Sequence, residues 1–145
     1  RLYVPVYRGF VYDGLASFDP DQSRTWLSDE TVAGFDPDRF EMMAGEARTF
    51  TLDMLDLQPG FIKIDAPGWF EAVVRGAKKT LERCRPLILM QSNADADQML
   101  TGELGYTRAA FDGASLRPGE RGRENTVYAP EERMGDLKHC GLWAG

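Results

Sequence analysis

Two short polar clusters each lie at the end of a predicted strand, and they are the residues of this chain best placed for chemistry. Lys63 and Asp65 close the first of these strands, and Gln91 and Asn93 follow the second. Ligands of open α/β sheets bind beyond the carboxyl ends of the strands. If the two strands are parallel neighbours, both clusters line one crevice. There Asp65 is a candidate general base or ligand-orienting carboxylate, assisted by Lys63 or Asn93.

A structural role for the same residues is the alternative. Asp65 would then cap the helix that follows it, and Lys63 would be an ordinary charge at a strand end. Trp69, beside Gly68, could stack on a ligand or pack beneath the rim of the sheet. Residue types alone leave these alternatives open.

The elements that would position the clusters follow from periodicity and turn signals. A Pro-Gly turn precedes the strand predicted at 61–65, and the continuous apolar run 87–90 predicts a strand buried on both faces. Between them, an apolar stripe with helical spacing predicts one amphipathic helix that ends at the Arg85-Pro86 step. The stripe consists of Phe70, Val73, Val74, Ala77 and Leu81.

The following residues extend this pattern. Asn93 or Asp95 would begin a second helix that ends at Gly105. Residues 106–111 and 126–129 predict two strands that pair antiparallel at an edge of the sheet. The order strand, helix, strand, helix, strand, strand is typical of a doubly wound α/β sheet.

The first third of the chain gives weaker signals. Residues 2–7 predict a strand, and Pro5 suggests an edge position or a strand end because proline cannot donate to a ladder. Asp36 would cap a short helix that Gly45 ends, and residues 48–53 alternate like a short strand. The tetrapeptide Phe-Asp-Pro-Asp occurs twice, and both copies predict Asp-Pro turns.

Composition limits the class of protein. With 145 residues, of which 43% are hydrophobic, we expect one α/β domain over residues 1–130 and a C-terminal tail over 131–145. The net charge of −6 argues against nucleic-acid partners, and no apolar run is long enough for a membrane span. Cys84 and Cys140 could pair, but two cysteines are too few for a disulfide framework, so we expect reduced thiols and a cytoplasmic location. Together with His139 they do not have the spacing of a zinc site, so no metal is expected.

Several motifs in order resemble the later part of the FkbM family of methyltransferases over most of the chain. The order and spacing of these motifs together carry the resemblance. The matching pieces are LYVPV at 2–6, Leu52 with Asp53, the sequence IKID at 62–65 with Gly68, Val73 with Gly76 and Ala77, Arg85 with Pro86 before an apolar strand, Gly105 with Tyr106, and Asn125 before the last strand.

The resemblance implies a fold and an activity. It implies a Rossmann-like class I methyltransferase sheet, incomplete on its N-terminal side, that ends in an antiparallel strand pair. It further implies transfer of a methyl group from S-adenosylmethionine to a hydroxyl of a small molecule, sugar or glycolipid. By the same resemblance Asp65 and Lys63 are catalytic, and Gly68 and Gln91 contact the cofactor. The methyl acceptor is not specified.

Departures from the family pattern support a second hypothesis. The family usually has KID-V-E/Q-G-A/F-E, and around its glycine this chain instead has Ala66, Pro67, Trp69 and Phe70. Gln91 stands where the family commonly has Glu, and the glycine-rich cofactor loop does not occur in this sequence. We therefore interpret the chain either as part of a longer enzyme or as a non-catalytic α/β binding domain. A third hypothesis is self-association through the exposed edge of the strand at 61–65.

Overall fold

The structure of the protein, a computed structural model, describes residues 1–143. The chain divides into two compact units, Arg1–Thr49 and Phe50–Gly145. The first unit contains a three-stranded antiparallel sheet, and the second contains a mixed five-stranded sheet. The predicted α/β class is therefore confirmed, and the region that we treated as one domain over residues 1–130 is divided between these two units.

In the first unit, strand β1 (Leu2–Tyr7) lies between β2 (Phe10–Val11) and β3 (Phe40–Gly45). Pro5 is therefore in a central strand, and its predicted edge position is wrong. The carbonyl oxygen of Pro5 accepts a hydrogen bond from the Tyr12 amide at 2.9 Å. The backbone nitrogen of Pro5, which carries no hydrogen, therefore also faces β2. Because β2 is only two residues long, the missing N–H removes little of the hydrogen bonding between strands.

The short helix predicted after Asp36 is mostly wrong. Asp36 does cap a single 3₁₀ turn, Pro37–Arg39, but Phe40–Gly45 forms β3 instead of continuing the helix. All six residues of β3 pair with β1, a partner that lies more than thirty positions earlier in the chain. Long-range pairing therefore overrides the local helical signal.

Both copies of the Phe-Asp-Pro-Asp tetrapeptide share the same capping bond, but the first begins an α-helix and only the second forms a single turn. Asp19 caps helix α1 (Pro20–Arg24) by accepting from the Asp21 amide at 2.9 Å. Asp36 accepts from the Asp38 amide at 3.2 Å in the same way. Each proline occupies the first helical position, where its missing N–H has no cost.

In the second unit, the strand order of the sheet is β4-β5-β8-β6-β7. Strand β4 is parallel to β5, whereas β8 is antiparallel to both of its neighbours, β5 and β6. The predicted antiparallel pair, β6 with β8, is confirmed. It lies inside the sheet, however, because β7 forms the edge. The bounds of these strands are β4 Phe61–Ile64, β5 Leu87–Gln91, β6 Tyr106–Phe111, β7 Leu116–Pro118 and β8 Asn125–Pro130.

The helix predicted between β4 and β5 is present but broken. It consists of α2 (Phe70–Gly76) and α3 (Lys78–Cys84), which meet at Ala77. The predicted stripe is confirmed: Phe70, Val74, Ala77 and Leu81 are buried and Val73 packs against them. Arg85, with φ of +47°, ends α3 before Pro86.

A preceding segment explains the break. The strand predicted at 48–53 is wrong, since Leu52–Leu55 form a 3₁₀ helix. The carboxylate of Asp53 accepts hydrogen bonds from the amides of Lys79 at 3.1 Å and Thr80 at 2.8 Å, and so caps α3. A Cβ at Gly76 would lie 3.3 Å from the Thr51 side chain, which is tighter than ordinary contact. Residues 51–53 therefore pack directly over the junction of the two helices.

The end of the chain is more ordered than predicted. Asn93 caps α4 (Ala94–Gln98), which continues as one π-helical turn, Met99–Glu103. Residues 131–139 form helix α5 (Glu131–His139), so the predicted tail is wrong for these residues. Residues 144–145 of that tail lie outside the described residues.

Two apolar clusters lie on the two faces of the five-stranded sheet. Ile88 of β5 packs in the first cluster, with residues of α2, α3 and α4, whereas Leu87 packs against the second. Since neighbouring strand residues point to opposite faces, the clusters lie on opposite faces. The second cluster contains Leu137 and Trp143 together with Leu116. This contact explains why α5 forms although its sequence has no clear apolar period.

Candidate functional site

The predicted crevice lies at the carboxyl ends of β4 and β5. These strands are parallel neighbours, as predicted, and Ile64 is paired with Met90 at their ends. Asp65 and Gln91 each follow one of these paired residues. The structure therefore brings the two predicted polar clusters together at the carboxyl ends of two neighbouring strands.

Lys63 and Asp65 form an exposed ion pair at this edge. The Lys63 Nζ lies 3.8 Å from Asp65 Oδ2, and the two side chains are 41% and 75% exposed. Such a pair contributes little to stability. Asp65 does not cap α2, because the residue at the start of that helix is Trp69, which has no side-chain capping bond. The capping role that we considered for Asp65 is therefore wrong, and its carboxylate is accessible to a ligand.

Gly68 has a structural reason to be glycine. Its φ is +76°, a conformation that side chains disfavour, and it directly precedes α2. The Trp69 amide donates to the Ala66 carbonyl at 2.9 Å and closes the turn. The turn therefore brings a backbone without a Cβ to the rim of the crevice. A direct role of Gly68 in binding cofactor stays a prediction.

Of the residues at and after the end of β5, one is free to reach the crevice and two are hydrogen-bonded to the protein backbone. Gln91 is exposed at the strand end. The Asn93 side chain accepts from the Ala96 amide at 2.9 Å, so its capping role is confirmed and its oxygen is engaged in that bond. The Ser92 hydroxyl donates to the Gly122 carbonyl at 2.7 Å. Asn93 is therefore less suited to assist Asp65 than the sequence suggested.

A loop over residues 119–124 packs against the end of β5. Its Glu124 carbonyl accepts from the Ser92 amide at 2.8 Å, and the Gly122 amide donates to Thr126 Oγ1 at 3.1 Å. A Cβ on Gly122 would lie 1.8 Å from the Asn125 carbonyl oxygen, so only glycine fits there. The loop is held close to the polar cluster that follows β5.

A buried carboxylate anchors the same loop, and the sequence analysis missed it. Asp97 of α4 accepts from Arg108 Nη1 at 2.7 Å, Arg121 Nη2 at 2.8 Å and the Tyr128 hydroxyl at 3.1 Å. Burial acts to raise the pKa of Asp97, but the hydrogen bonds from Arg121, Arg108 and Tyr128 together lower it below its usual value. Burial raises the pKa of Tyr128, and the neighbouring Asp97 charge adds to that rise.

This network is a structural anchor, because every oxygen of Asp97 is already engaged by the protein. Arg121 belongs to the loop over residues 119–124, so its bond to Asp97 ties that loop to α4. One signal in the sequence could have identified Asp97. Asp97 lies between Ala96 and Leu100, two apolar residues on the buried face of its helix, and a carboxylate on such a face needs buried polar partners.

A surface cavity of about 450 Å³ lies in the first unit and does not contain any predicted site residue. It is lined by Arg1, Glu46, Ala47 and Arg48. These residues offer charges but no nucleophile or activated base, so we assign no chemistry to this cavity.

Among residues 1–143, no group of three or more His, Cys, Asp or Glu side chains is placed to hold a metal ion. No helix within these residues is long and apolar enough to cross a membrane. No protein-family model matches the chain, and neither a curated protein nor a solved structure shows significant similarity to it.

Proposed function

We propose that the second unit is part of an S-adenosylmethionine-dependent O-methyltransferase similar to the FkbM family. The observation that carries this proposal is the parallel pairing of β4 with β5, which puts Asp65 and Gln91 beside each other at one sheet edge. The antiparallel pairing of β6 with β8 supports it as well, since the family resemblance implies an antiparallel strand pair, although here β7 and not this pair forms the edge of the sheet.

The family-like motifs outside the crevice support the proposal because their residues make contacts that hold the fold together. Asp53 caps α3, and Gly76 makes room for Thr51. Arg85 donates to the Leu104 carbonyl at 2.7 Å. A sequence pattern whose members hold this strand and helix arrangement together is a pattern that specifies a fold.

In the proposed reaction, this chain supplies groups on one side of the transfer site. Bound S-adenosylmethionine would supply the methyl group. Asp65 would accept the proton of the acceptor hydroxyl, which is the task of a general base. Lys63 would orient that carboxylate through their ion pair, and Gln91 would offer an amide to the cofactor. Gly68 would let the backbone of its turn approach the cofactor closely.

These residues form only one side of the methyl-transfer site. Methyl transfer requires donor and acceptor to be held in line at short distance, which a single sheet edge cannot do. We propose that the rest of a longer protein supplies the glycine-rich cofactor loop. We also propose a small-molecule or carbohydrate acceptor. Because Cys84 and Cys140 are free thiols, we propose a cytoplasmic location.

A non-catalytic binding domain is the second candidate, and two observations favour it. Phe70, which stands where the family has a carboxylate, is buried in the core and brings no charge to the crevice. Asn93, the other candidate assistant of Asp65, is engaged in capping α4. Both features reduce the number of polar groups at the proposed site.

Calorimetric titration with S-adenosylmethionine separates the two candidates. We expect the full-length product of the gene to bind the cofactor and the 145-residue chain to bind it much more weakly. In the full-length protein Asp65→Asn should retain cofactor binding but lose methyl transfer, while Asp95→Asn, an exposed carboxylate on α4, should lose neither. If neither the chain nor the full-length protein binds, the methyltransferase proposal is wrong.

A further inference from the structure

Asn125 begins strand β8 directly beside the proposed site. Its register partner is Gln91, the last residue of β5. In an antiparallel pair, directly opposite residues have their side chains on the same face of the sheet and close enough to interact. The polar residues at the carboxyl ends of β4 and β5 therefore continue onto a third strand.

The carboxylate of Asp65 lies on the same face of the sheet as these two amides. Lys63 is paired with Leu89, and Leu89 lies two residues before Gln91, so the three side chains share a face. The Lys63 Nζ lies 3.8 Å from Asp65 Oδ2, which puts the carboxylate on the side of Lys63. Asp65, Gln91 and Asn125 consequently form one row of polar side chains, which we call the polar rim.

The local structure does not explain the side chain of Asn125. Asparagine is depleted in strands, and at the end of a strand its side chain often bonds to the neighbouring backbone in a turn. Here the side chain is exposed and makes no hydrogen bond to any residue in the described range 1–143. Neither capping nor a turn therefore accounts for an amide at this position.

Asn125 also differs from other residues that carry the family resemblance. Asp53 caps α3, Gly76 lies against Thr51, and Arg85 donates to the Leu104 carbonyl. The side chain of Asn125 makes no comparable contact within residues 1–143, although it lies next to the proposed site. A convergent polar group at the rim of a site is suited to binding a ligand.

We propose that Asn125 binds a second hydroxyl of the methyl acceptor and so selects acceptors that carry at least two hydroxyls. This inference rests on the proposed function, in which the reacting hydroxyl lies at Asp65. Asn125 is two strand spacings from Asp65, or about 10 Å. A hydrogen bond of about 2.8 Å at each end leaves roughly 4–5 Å between the two hydroxyl oxygens. Hydroxyls on opposite carbons of a six-membered ring have about this separation.

An amide suits this task because a hydroxyl both donates and accepts hydrogen bonds. The Asn125 side chain offers a carbonyl oxygen and an NH₂ group, so it satisfies a hydroxyl in either orientation. An ionised carboxylate such as Asp65 only accepts. The two ends of the polar rim therefore differ in chemistry. Asp65 would take the proton of one hydroxyl, whereas Asn125 would hold the other hydroxyl intact.

Titration of the full-length gene product with two related alcohols tests this inference. The probes are cyclohexanol and the cyclohexane diol whose hydroxyls are on opposite ring carbons. We expect the diol to shift the side-chain amide NMR signals of Asn125 and to bind about fivefold more tightly than cyclohexanol, the effect of one added hydrogen bond. Asn125→Ala and Asn125→Val should both lose this preference, and valine also favours a strand. Gln98→Ala removes an exposed amide from α4 and should keep the preference.

S-adenosylmethionine affinity, measured on the same variants, separates this inference from the proposed function. Asn125→Val should bind the cofactor as the wild type does, with the amide signals of β8 preserved. If the wild type binds the cofactor but does not prefer the diol, the inference is overturned and the methyltransferase proposal stands. A preference for the diol that needs Asn125, without any cofactor binding, would support the hydroxyl site and overturn the methyltransferase proposal. Equal loss of the preference in Gln98→Ala would also overturn the inference.

Discussion

Replacing Asp97 by Asn should destabilise the second unit substantially. The change removes the charge that holds Arg108 and Arg121 and weakens the acceptor for the buried Tyr128 hydroxyl. Breaking a fully buried ion pair costs about 3–5 kcal/mol. The two arginine side chains are 38% and 40% exposed, so water compensates part of that loss. We therefore expect a loss of about 2 kcal/mol in the free energy of unfolding.

Urea unfolding, followed through the amide NMR signals of β6 and β8, measures this loss in the relevant unit. A loss of about 2 kcal/mol corresponds to a midpoint lower by roughly 1 M urea for a small domain. Asp95→Asn is the matched control, since Asp95 is an exposed residue of the same helix. Its effect should stay below about 1 kcal/mol, the range of a charge near a helix N-terminus. Equal midpoints for the two variants would refute the assignment of Asp97 as a buried anchor.

Three further predictions concern stability. Because the pKa of Asp97 is lowered in the folded state, its stabilising effect is present above its unfolded value of 3.8 and is lost as the pH falls below it. The difference in unfolding free energy between wild type and Asp97→Asn should therefore shrink on acidification from neutral pH, and a constant difference would contradict this. Gly122→Ala should cost about 2 kcal/mol or more in chemical unfolding, because its Cβ would clash with the Asn125 carbonyl. Gly135→Ala, which meets nothing within 4 Å, should not destabilise, and equal losses would exclude the clash. Asp53→Ala should cost about 1 kcal/mol by uncapping α3, measured by the same unfolding, whereas Glu82→Ala, at an exposed position of α3, should cost less.

The elements that were predicted correctly are those whose signals are local. Three such features depend on residues a few positions apart. They are the turn at Pro67 and Gly68, the apolar stripe after it and the end of the helix at Arg85. Strand β5 followed from a continuous apolar run. These signals were enough to place Asp65 and Gln91 at the same sheet edge, which the structure confirms.

The elements that were missed depend on distant partners. Strand β3 forms because β1 pairs with it. Helix α2 ends where it does because Thr51 and Asp53 pack over its junction with α3. Asp97 finds its three partners 11, 24 and 31 residues further along the chain, so the apolar stripe of its helix indicates that Asp97 is buried but not which residues bind it.

We propose that S-adenosylmethionine binds beyond the carboxyl ends of β4 and β5. Amide chemical shifts of the full-length gene product, recorded during titration with S-adenosylmethionine, test that location residue by residue. We expect saturable chemical-shift changes at Asp65, Gly68 and Gln91, with little change in α5. Saturable binding that leaves these three residues unperturbed, or the absence of any binding, would contradict it.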